Sequence, residues 1–239
     1  MNNQSGKLSI DLHNHSSYSY DAKLSLEDFL KNDEIDVFAV TDHDNFEFHE
    51  QYSGGKELYK IEDKWFITGE EIMTSDAGEI IGLFIKKRIP PQLTFSETLK
   101  EIKNQGGIAY LPHPYDLYRK GKPKLKIVLP YIDEIEMIEV FNAKYFTKFE
   151  IQKSYKLAER YKKIKGYGSD AHKPEDLAKG YITVRSDNDN VTRETLLKLL
   201  SDESKILKTV EIKRSFFKTV LKKLRWKRNI QYLIRWGWV

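Results

Sequence analysis

The sequence LSIDLHNHS, at residues 8–16, places two histidines at the end of a short strand signal. Residues 8–10 are predicted to form the strand, so His13 and His15 leave its C-terminal end. Side chains two positions apart in an extended segment point to the same side, and two imidazole nitrogens can then meet one cation. This spacing predicts a metal site, and later parts of the chain repeat the arrangement.

Histidines and carboxylates recur where other apolar runs end. Five of the six histidines follow such strand-like runs: His13, His15, His43, His113 and His172. Asp42 precedes His43 at the edge of the core, where an ionised carboxylate needs a partner. The Asp170-x-His172 pair repeats the spacing of the first motif. We therefore expect one centre built from these side chains, with Asp21 either a further ligand or a surface turn residue.

The composition limits the class of protein and the type of metal site. The 239 residues are 40% hydrophobic and 32% charged, which is typical of a folded domain that buries a full core. No run of about 18 apolar residues predicts a membrane span, and residues 1–7 carry no apolar signal-peptide core. There is no cysteine, so any metal must be held by His, Asp and Glu. A cytoplasmic location is expected.

The order of elements predicts an α/β fold. Strand signals fall at about 8–10, 36–41, 64–72, 79–85, 108–111, 135–141 and 181–185, and helix signals at about 26–32, 45–60, 96–105, 147–163 and 192–201. This alternation favours a mostly parallel sheet. In a parallel β/α barrel the C-terminal strand ends share the face that carries the active site. Motifs distant in sequence would therefore converge there.

Several positions have more than one interpretation. Glu70 and Glu71 are adjacent, so only one can point inward, and strand alternation does not decide which; the other is expected to be solvated. His113 lies between two prolines, which predicts an extended backbone. His49 lies in a polar helix and is predicted to be a surface residue.

The number of candidate ligands favours more than one metal ion. About four neutral imidazoles with three or more carboxylates suit Mn²⁺, Zn²⁺ or Fe²⁺ better than Mg²⁺ or Ca²⁺. They are too many for one tetrahedral ion, so two or three ions about 3.5–4 Å apart are predicted. Such clusters clamp the attacking and leaving oxygens of a phosphoryl displacement.

These motifs together resemble the PHP family, which is named for its polymerase-associated and histidinol phosphatase members. The matching segments, in order, are residues 11–16, 41–44, 69–72, 112–114 and 168–172. The resemblance covers about residues 8–185. It implies a distorted (β/α)7 barrel with a trinuclear metal site.

The resemblance also implies a role for each matching residue. One metal would be held by His13, His15, Glu71 and Asp170. Glu71 would bridge to a second metal that also binds His113, and the third would be held by Asp21, His43 and His172. The resemblance selects Glu71 over Glu70 as the bridging carboxylate.

The chain departs from the family pattern at the second metal. Many members carry another histidine in the strand after the bridging glutamate, but residues 77–83 contain none. Glu79 is a candidate replacement. Asn142 is placed to bind through a water molecule, and Asp42 is a possible further ligand or a support for the ligands.

The leading hypothesis is a metal-dependent phosphoesterase in which a metal-bound hydroxide attacks phosphorus in line, with no separate catalytic side chain assigned. Arg119, Lys120 and Lys122 are candidates for binding substrate phosphate. Substrates could be nucleotides, oligonucleotide 5′ ends or a small phosphorylated metabolite. The side chains that could stack on a nucleotide base are Tyr18, Tyr20 and Tyr115. The alternatives are hydrolysis of an amide or lactone, and a non-catalytic PHP-type metal-binding or interaction module.

The C-terminal residues 213–239 form a separate unit in this interpretation. They contain nine Lys or Arg and no acid, so the preceding residues 1–212, the predicted catalytic barrel, are mildly acidic. Spaced apolar residues predict a basic helical extension. Packing on the barrel, contact with a membrane surface and contact with nucleic acid all remain open. The oligomeric state is open as well.

Overall fold

The computed structural model describes residues 6–186 and 191–211. Its strands are β1 (Lys7–Asn14), β2 (Val37–Val40), β3 (Leu58–Ile61), β4 (Lys64–Thr74), β5 (Gly78–Leu83), β6 (Ile108–Leu111), β7 (Met137–Asn142), β8 (Ile164–Gly168), β9 (Gly180–Arg185) and β10 (Ile206–Glu211). Its α-helices are α1 (Leu26–Leu30), α2 (Glu47–Tyr52), α3 (Phe95–Asn104), α4 (Leu125–Val128), α5 (Lys148–Arg160) and α6 (Arg193–Ser201). Short 3-10 helices span Leu129–Glu134, Pro174–Asp176 and Glu203–Lys205.

Four of these helices begin at capping boxes, in which two side chains satisfy backbone N–H groups at the helix start. At α1 the Ser25 side chain accepts from the Asp28 backbone N–H, and the Asp28 carboxylate accepts from the Ser25 N–H. Helix α3 begins at Phe95, one residue earlier than predicted, because Thr94 and Glu97 form its box. These local signals explain why the helix starts could be read from the sequence.

The strands form one mixed sheet in the order β10-β9-β1-β2-β4-β5-β6-β7-β8, with β3 paired to β4. Strand pairs β1–β2, β2–β4, β6–β7 and β7–β8 are parallel, and the other pairs are antiparallel. The prediction of a mostly parallel sheet is therefore wrong. The turns at 62–63 and 75–77 are too short for a crossover helix, so they fold β3–β4 and β4–β5 back as hairpins. Likewise the predicted helix at 45–60 ends at 52, and β3 occupies 58–61.

The sheet curls into a half-barrel whose two ends approach each other beside β1. The backbone N–H of Asp170 donates to the His13 carbonyl at 2.8 Å, and the His15 N–H donates to the Ala171 carbonyl at 2.9 Å. These bonds fasten the segment after β8 to the end of β1. The curvature therefore gathers strand ends at one face, while the finer assignment to a (β/α)7 barrel stays a prediction.

An aromatic cluster fixes the first two helices on the sheet. The ring of Phe29 in α1 lies 5.1 Å from Phe38 of β2 and 6.0 Å from Phe48 of α2, centroid to centroid. Phe48 in turn lies 5.9 Å from Phe66 of β4. All four rings are buried. Aromatic pairs at these separations add about 0.5–1.5 kcal/mol each beyond area burial, so the cluster holds the loops that leave β1 and β2.

The predicted basic extension at 213–239 and the domain boundary at 212 lie outside the described residues. Within 6–186 and 191–211, no helix is both long enough and apolar enough to cross a lipid bilayer.

Candidate metal centre

Strand ends supply most of the candidate ligands. His13 and His15 come from the end of β1 and the residue after it, His43 follows β2, Glu71 lies in β4, His113 follows β6, and Asp170 and His172 follow β8. Asp21 comes from the loop before α1. Most of these side chains are buried, but Asp21 and His172 retain access to solvent. The structure therefore brings all eight predicted ligands to one face.

The first group of ligand atoms surrounds the ring nitrogens of the opening motif. The Nε2 atoms of His13 and His15 are 3.1 Å apart. Oε2 of Glu71 lies 3.2 Å from the first and 3.3 Å from the second. Oδ1 of Asp170 lies 3.3 Å from His15 Nε2 and 3.8 Å from His13 Nε2. Two imidazoles and two carboxylates thus converge on one small volume, as the ligands of a cation do.

Glu71 faces different imidazoles with its two oxygens. Oε1 lies 2.8 Å from Nε2 of His113. Oε2, on the side of His13 and His15, also lies 3.3 Å from Nδ1 of His43. A carboxylate placed in this way can bridge two ions.

A third group lies at the solvent-facing side. Oδ2 of Asp21 is 3.2 Å from Nε2 of His172 and 3.7 Å from Nε2 of His43. The rings of His15 and His43 stack at 4.4 Å between centroids, which joins this group to the first. Because Asp21 is partly exposed, this is the side from which water and a substrate can reach the centre.

Oxygen acceptors beside the Nδ1 atoms set the tautomers of two histidines. Nδ1 of His13 lies 3.0 Å from Oε1 of Glu139, and Nδ1 of His172 lies 2.9 Å from the Asp170 carbonyl oxygen. An oxygen acceptor at Nδ1 places the hydrogen there and leaves the Nε2 lone pair for a metal. Glu139 also accepts from the backbone N–H of His113 at 2.7 Å. Sequence reasoning missed Glu139, although an acid inside the apolar strand β7 was a usable signal.

The electrostatics fit a divalent cation. Burial alone would raise the pKa of Glu71, but the His13 and His43 charges hold it well below its ordinary value. Burial, with His172 and His43 close by, lowers the pKa of His15 well below its ordinary value, so its ring stays neutral. Within the described residues, buried polar atoms lacking a hydrogen-bond partner include His15 Nδ1, His113 Nδ1, Glu79 Oε2 and Asp170 Oδ1. Ionised carboxylates, a neutral imidazole at His15 and buried polar atoms without partners are the donor set that such an ion requires.

Comparison with known proteins identifies the family. A family model described as PHP-associated matches residues 150–204. The uncharacterized protein MJ0417 of Methanocaldococcus jannaschii is 32% identical over 235 residues, covering 94% of this chain and 90% of that protein. The chain belongs to the PHP family. The resemblance drawn from the motifs is confirmed.

Solved structures support the PHP fold. A two-domain protein from Bacteroides vulgatus, containing a predicted PHP-like metal-dependent phosphoesterase, matches with a TM-score of 0.60 and 18% identity over 82% of this chain. The lesion-specific endonuclease Q of Pyrococcus furiosus matches with a TM-score of 0.62 and 15% identity over 86%. This PHP chain spans only 62% and 59% of those two chains. Another endonuclease Q structure holds a 27-mer duplex with an abasic lesion at its active site.

Arg119 lies inside the PHP centre, beside Glu79. Its guanidinium donates to Asp170, and Nη1 lies 3.0 Å from Nε2 of His113. Glu79 Oε2 is 3.6 Å from the same His113 nitrogen, and burial, reinforced by Glu71, raises the pKa of Glu79 to about 8. The other two predicted phosphate ligands differ: Lys120 is exposed and Lys122 half-buried. In the described chain, no ion pair joins either lysine to the cluster.

Asp42 and Asn142 contact candidate ligands of the PHP centre or the backbone beside them. Both oxygens of Asp42 accept from Ser16, from its backbone N–H and its hydroxyl, each at 2.5 Å. This fixes the turn after His15. The Asn142 amide donates to Glu139 at 3.0 Å and to Asp170 at 3.1 Å. Its oxygen accepts from a backbone N–H, which defines the orientation of the amide. Asn142 thus orients a candidate ligand, and Asp42 fixes the backbone next to one.

Three predictions near the centre are wrong. His49 is buried, with Nδ1 2.9 Å from the Tyr59 hydroxyl and Nε2 2.8 Å from a β2 carbonyl oxygen, because the short helix α2 packs that side chain on the sheet. Glu70 is also buried, and it accepts from the Ile89 N–H at 2.8 Å on the side of β4 opposite Glu71. His113 has a φ of +26° rather than an extended backbone. Its hydrogen bond to buried Glu139 stabilises this strained conformation.

Proposed function

We propose that this PHP-family chain is a metal-dependent phosphoesterase with two or three divalent ions, Mn²⁺, Zn²⁺ or Fe²⁺. The observation that carries the proposal is Glu71, whose two oxygens face separate imidazoles. The proposed metal ligands are His13, His15, Asp21, His43, Glu71, His113, Asp170 and His172. When bound, such ions activate water and neutralise charge that develops during an in-line phosphoryl displacement.

The chain's own residues would position the reacting groups. Glu139 holds His13 in the tautomer that presents Nε2 to a metal, and Asn142 orients the Asp170 carboxylate. The partly exposed side, at Asp21 and His172, would admit the phosphate. Preorganised groups of this kind lower the barrier because they need no rearrangement during the reaction.

The proposed substrate is a nucleotide or a nucleic acid end. The Tyr20 ring is 82% exposed and stacks on His43 with 5.3 Å between centroids, so a base has a free aromatic face beside the centre. Tyr18 and Tyr115 are half-buried, so they expose less ring surface to a base than Tyr20 does. The endonuclease Q neighbours, with a duplex bearing an abasic lesion, support the same class. A small phosphorylated metabolite would be recognised by the same centre without this ring.

Metal analysis with a substrate panel tests the proposal. The full chain would be stripped with chelator, reloaded separately with Mn²⁺, Zn²⁺ and Fe²⁺, and assayed on bis-p-nitrophenyl phosphate, 5′-nucleotides, single-stranded oligonucleotides and an abasic duplex. Asp21→Asn should reduce turnover strongly, whereas the exposed carboxylate control Asp33→Asn should not. Bound metal without turnover of any phosphate ester would indicate a non-catalytic module. Turnover confined to amides or lactones would indicate a different hydrolase.

We also propose that residues 213–239 are an appendage to the catalytic domain that contacts nucleic acid or an anionic membrane surface, in a cytoplasmic protein. A chain ending at residue 212 should keep turnover of a small phosphodiester and lose affinity for oligonucleotides or anionic vesicles. An insoluble truncated protein would show that the segment belongs to the core.

A further inference from the structure

The Arg119 guanidinium lies where the ligands of the second predicted metal meet. Its Nη1 atom is 3.0 Å from Nε2 of His113 and 3.8 Å from both Glu71 Oε1 and Glu79 Oε2. Its Nη2 atom donates to Asp170. The side chain is only 18% exposed. One cation therefore already contacts three carboxylates and one imidazole of the centre.

The backbone before Arg119 is anchored, so the position of this side chain is built into the fold. Asp116 Oδ1 accepts from the backbone N–H groups of Tyr118 and Arg119 at 2.8 and 2.9 Å. The Leu117 N–H donates to Oε1 of Glu150, a buried residue of α5, at 3.2 Å. These bonds fold the segment on itself and hold it against α5, and the Arg119 side chain points inward rather than toward solvent.

A metal ion and Arg119 compete for the same atoms. The His113 ring nitrogen Nε2 lies 2.8 Å from Glu71 Oε1 and 3.0 Å from the guanidinium. If it donates to the carboxylate it has no lone pair, and if it accepts from the guanidinium its lone pair is used, so in both tautomers these contacts exclude a metal from that nitrogen. A divalent ion between Glu71 Oε1 and His113 Nε2 would also lie within a few ångströms of a fixed positive charge and be repelled by it. The Glu79 carboxylate also pairs with the guanidinium, so a third acid of the centre is already neutralised by Arg119. Carboxylates around Arg119, with Asp170 the strongest, raise its pKa above its ordinary value despite burial, so the charge is permanent.

We propose that Arg119 takes the place of one metal ion, so that the centre of this chain holds two divalent ions and one arginine in place of three ions. The inference rests on the proposed metal centre. Arg119 would supply the positive charge between Glu71, Glu79 and His113. The two ions would then occupy the group around His13 and His15 and the group around Asp21 and His172.

Counting bound metal tests this inference. The full-length chain would be stripped of metal, equilibrated with excess Mn²⁺ and in parallel with Zn²⁺, freed of unbound ion, and analysed by plasma mass spectrometry, with calorimetric titration as a second count. The variants are Arg119→Met, which keeps the length and removes the charge, and Arg119→Lys, which keeps the charge. Lys120→Met is the matched control, because its side chain is exposed.

We expect two equivalents for the wild type, Arg119→Lys and Lys120→Met, and three for Arg119→Met. Three equivalents of bound metal in the wild type would overturn the inference. This test needs no variant, so it still applies if a variant fails to fold. An Arg119→Met protein that folds and saturates at the wild-type count would also overturn it. The absence of any bound metal in the wild type would remove both this inference and the proposed function. Metal counts as expected without phosphoesterase turnover would remove only the proposed function.

Discussion

Replacing Glu71 by Gln should disable the metal centre. Within 3.3 Å of its two oxygens lie nitrogens of four imidazoles. A glutamine keeps the shape, but it loses the negative charge and turns an NH₂ donor toward ring nitrogens that need a cation. We expect bound metal to drop by at least one equivalent. We expect kcat/KM for bis-p-nitrophenyl phosphate to fall at least about 100-fold, which is roughly 3 kcal/mol of barrier.

Glu70→Gln is the matched control for this substitution. Glu70 is the adjacent residue and equally buried, but it bonds to the Ile89 N–H on the other side of β4. Burial raises the pKa of Glu70 to about 8, so at pH 7 its carboxyl is largely neutral and a glutamine imitates it. Metal content and turnover should stay at the wild-type values. If Glu70→Gln were the damaging change and Glu71→Gln the silent one, the assignment of the bridging carboxylate would be wrong.

Three further predictions follow from buried and exposed groups around the centre. Glu139→Gln should weaken metal affinity about 10- to 100-fold, measured by chelator competition, because a glutamine has one acceptor oxygen where Glu139 uses two, for His13 Nδ1 and for the His113 N–H; unchanged affinity would contradict this. Burial lowers the pKa of His49 to about 4, whereas the unfolded chain takes up the proton at the ordinary histidine pKa. The unfolding free energy of the wild type should therefore fall as the pH drops from 6.5 toward 4, and His49 contributes at most about 1.4 kcal/mol per pH unit to this fall. In urea titrations the unfolding free energy of His49→Gln should depend less steeply on pH below 6.5 than that of the wild type. An identical pH dependence would contradict the assignment to His49. Tyr20→Ala should raise KM for a 5′-nucleotide by about 5- to 100-fold, from a stacking energy of about 1–3 kcal/mol; an equal change for glycerol phosphate would refute stacking.

Several candidate ligands were predictable from local sequence. His13 and His15 project together because alternation in an extended segment needs no tertiary information. The helix starts were similarly legible, as the capping box at Ser25 illustrates. Family resemblance, rather than pattern alone, selected Glu71 over Glu70, and the structure places Glu71 among the histidines.

The error in strand direction is local: the turns at 62–63 and 75–77 are too short for a crossover, but the alternation of elements alone suggested more parallel pairs. The other errors concern properties that depend on distant parts of the chain. The burial of His49 depends on Tyr59 and on β2, which a polar helix signal does not reveal. Glu139 supports His13 from 126 positions away, and no spacing rule joins them. The backbone of His113 takes a positive φ because of that same buried carboxylate, against the expectation for a residue before proline.

The β4–β5 hairpin has a consequence for the order in which the centre assembles. Its register sets Glu71 opposite Ile81 and Glu79 opposite Met73, so two acids of the centre share one local unit. Hairpins form in about 1–10 μs, whereas contacts between distant segments close much later. His13 and Asp170 meet only when nearly the whole described chain has folded. The nascent protein therefore brings carboxylates together long before the imidazoles arrive, and a tight metal site can exist only after the last segments have joined.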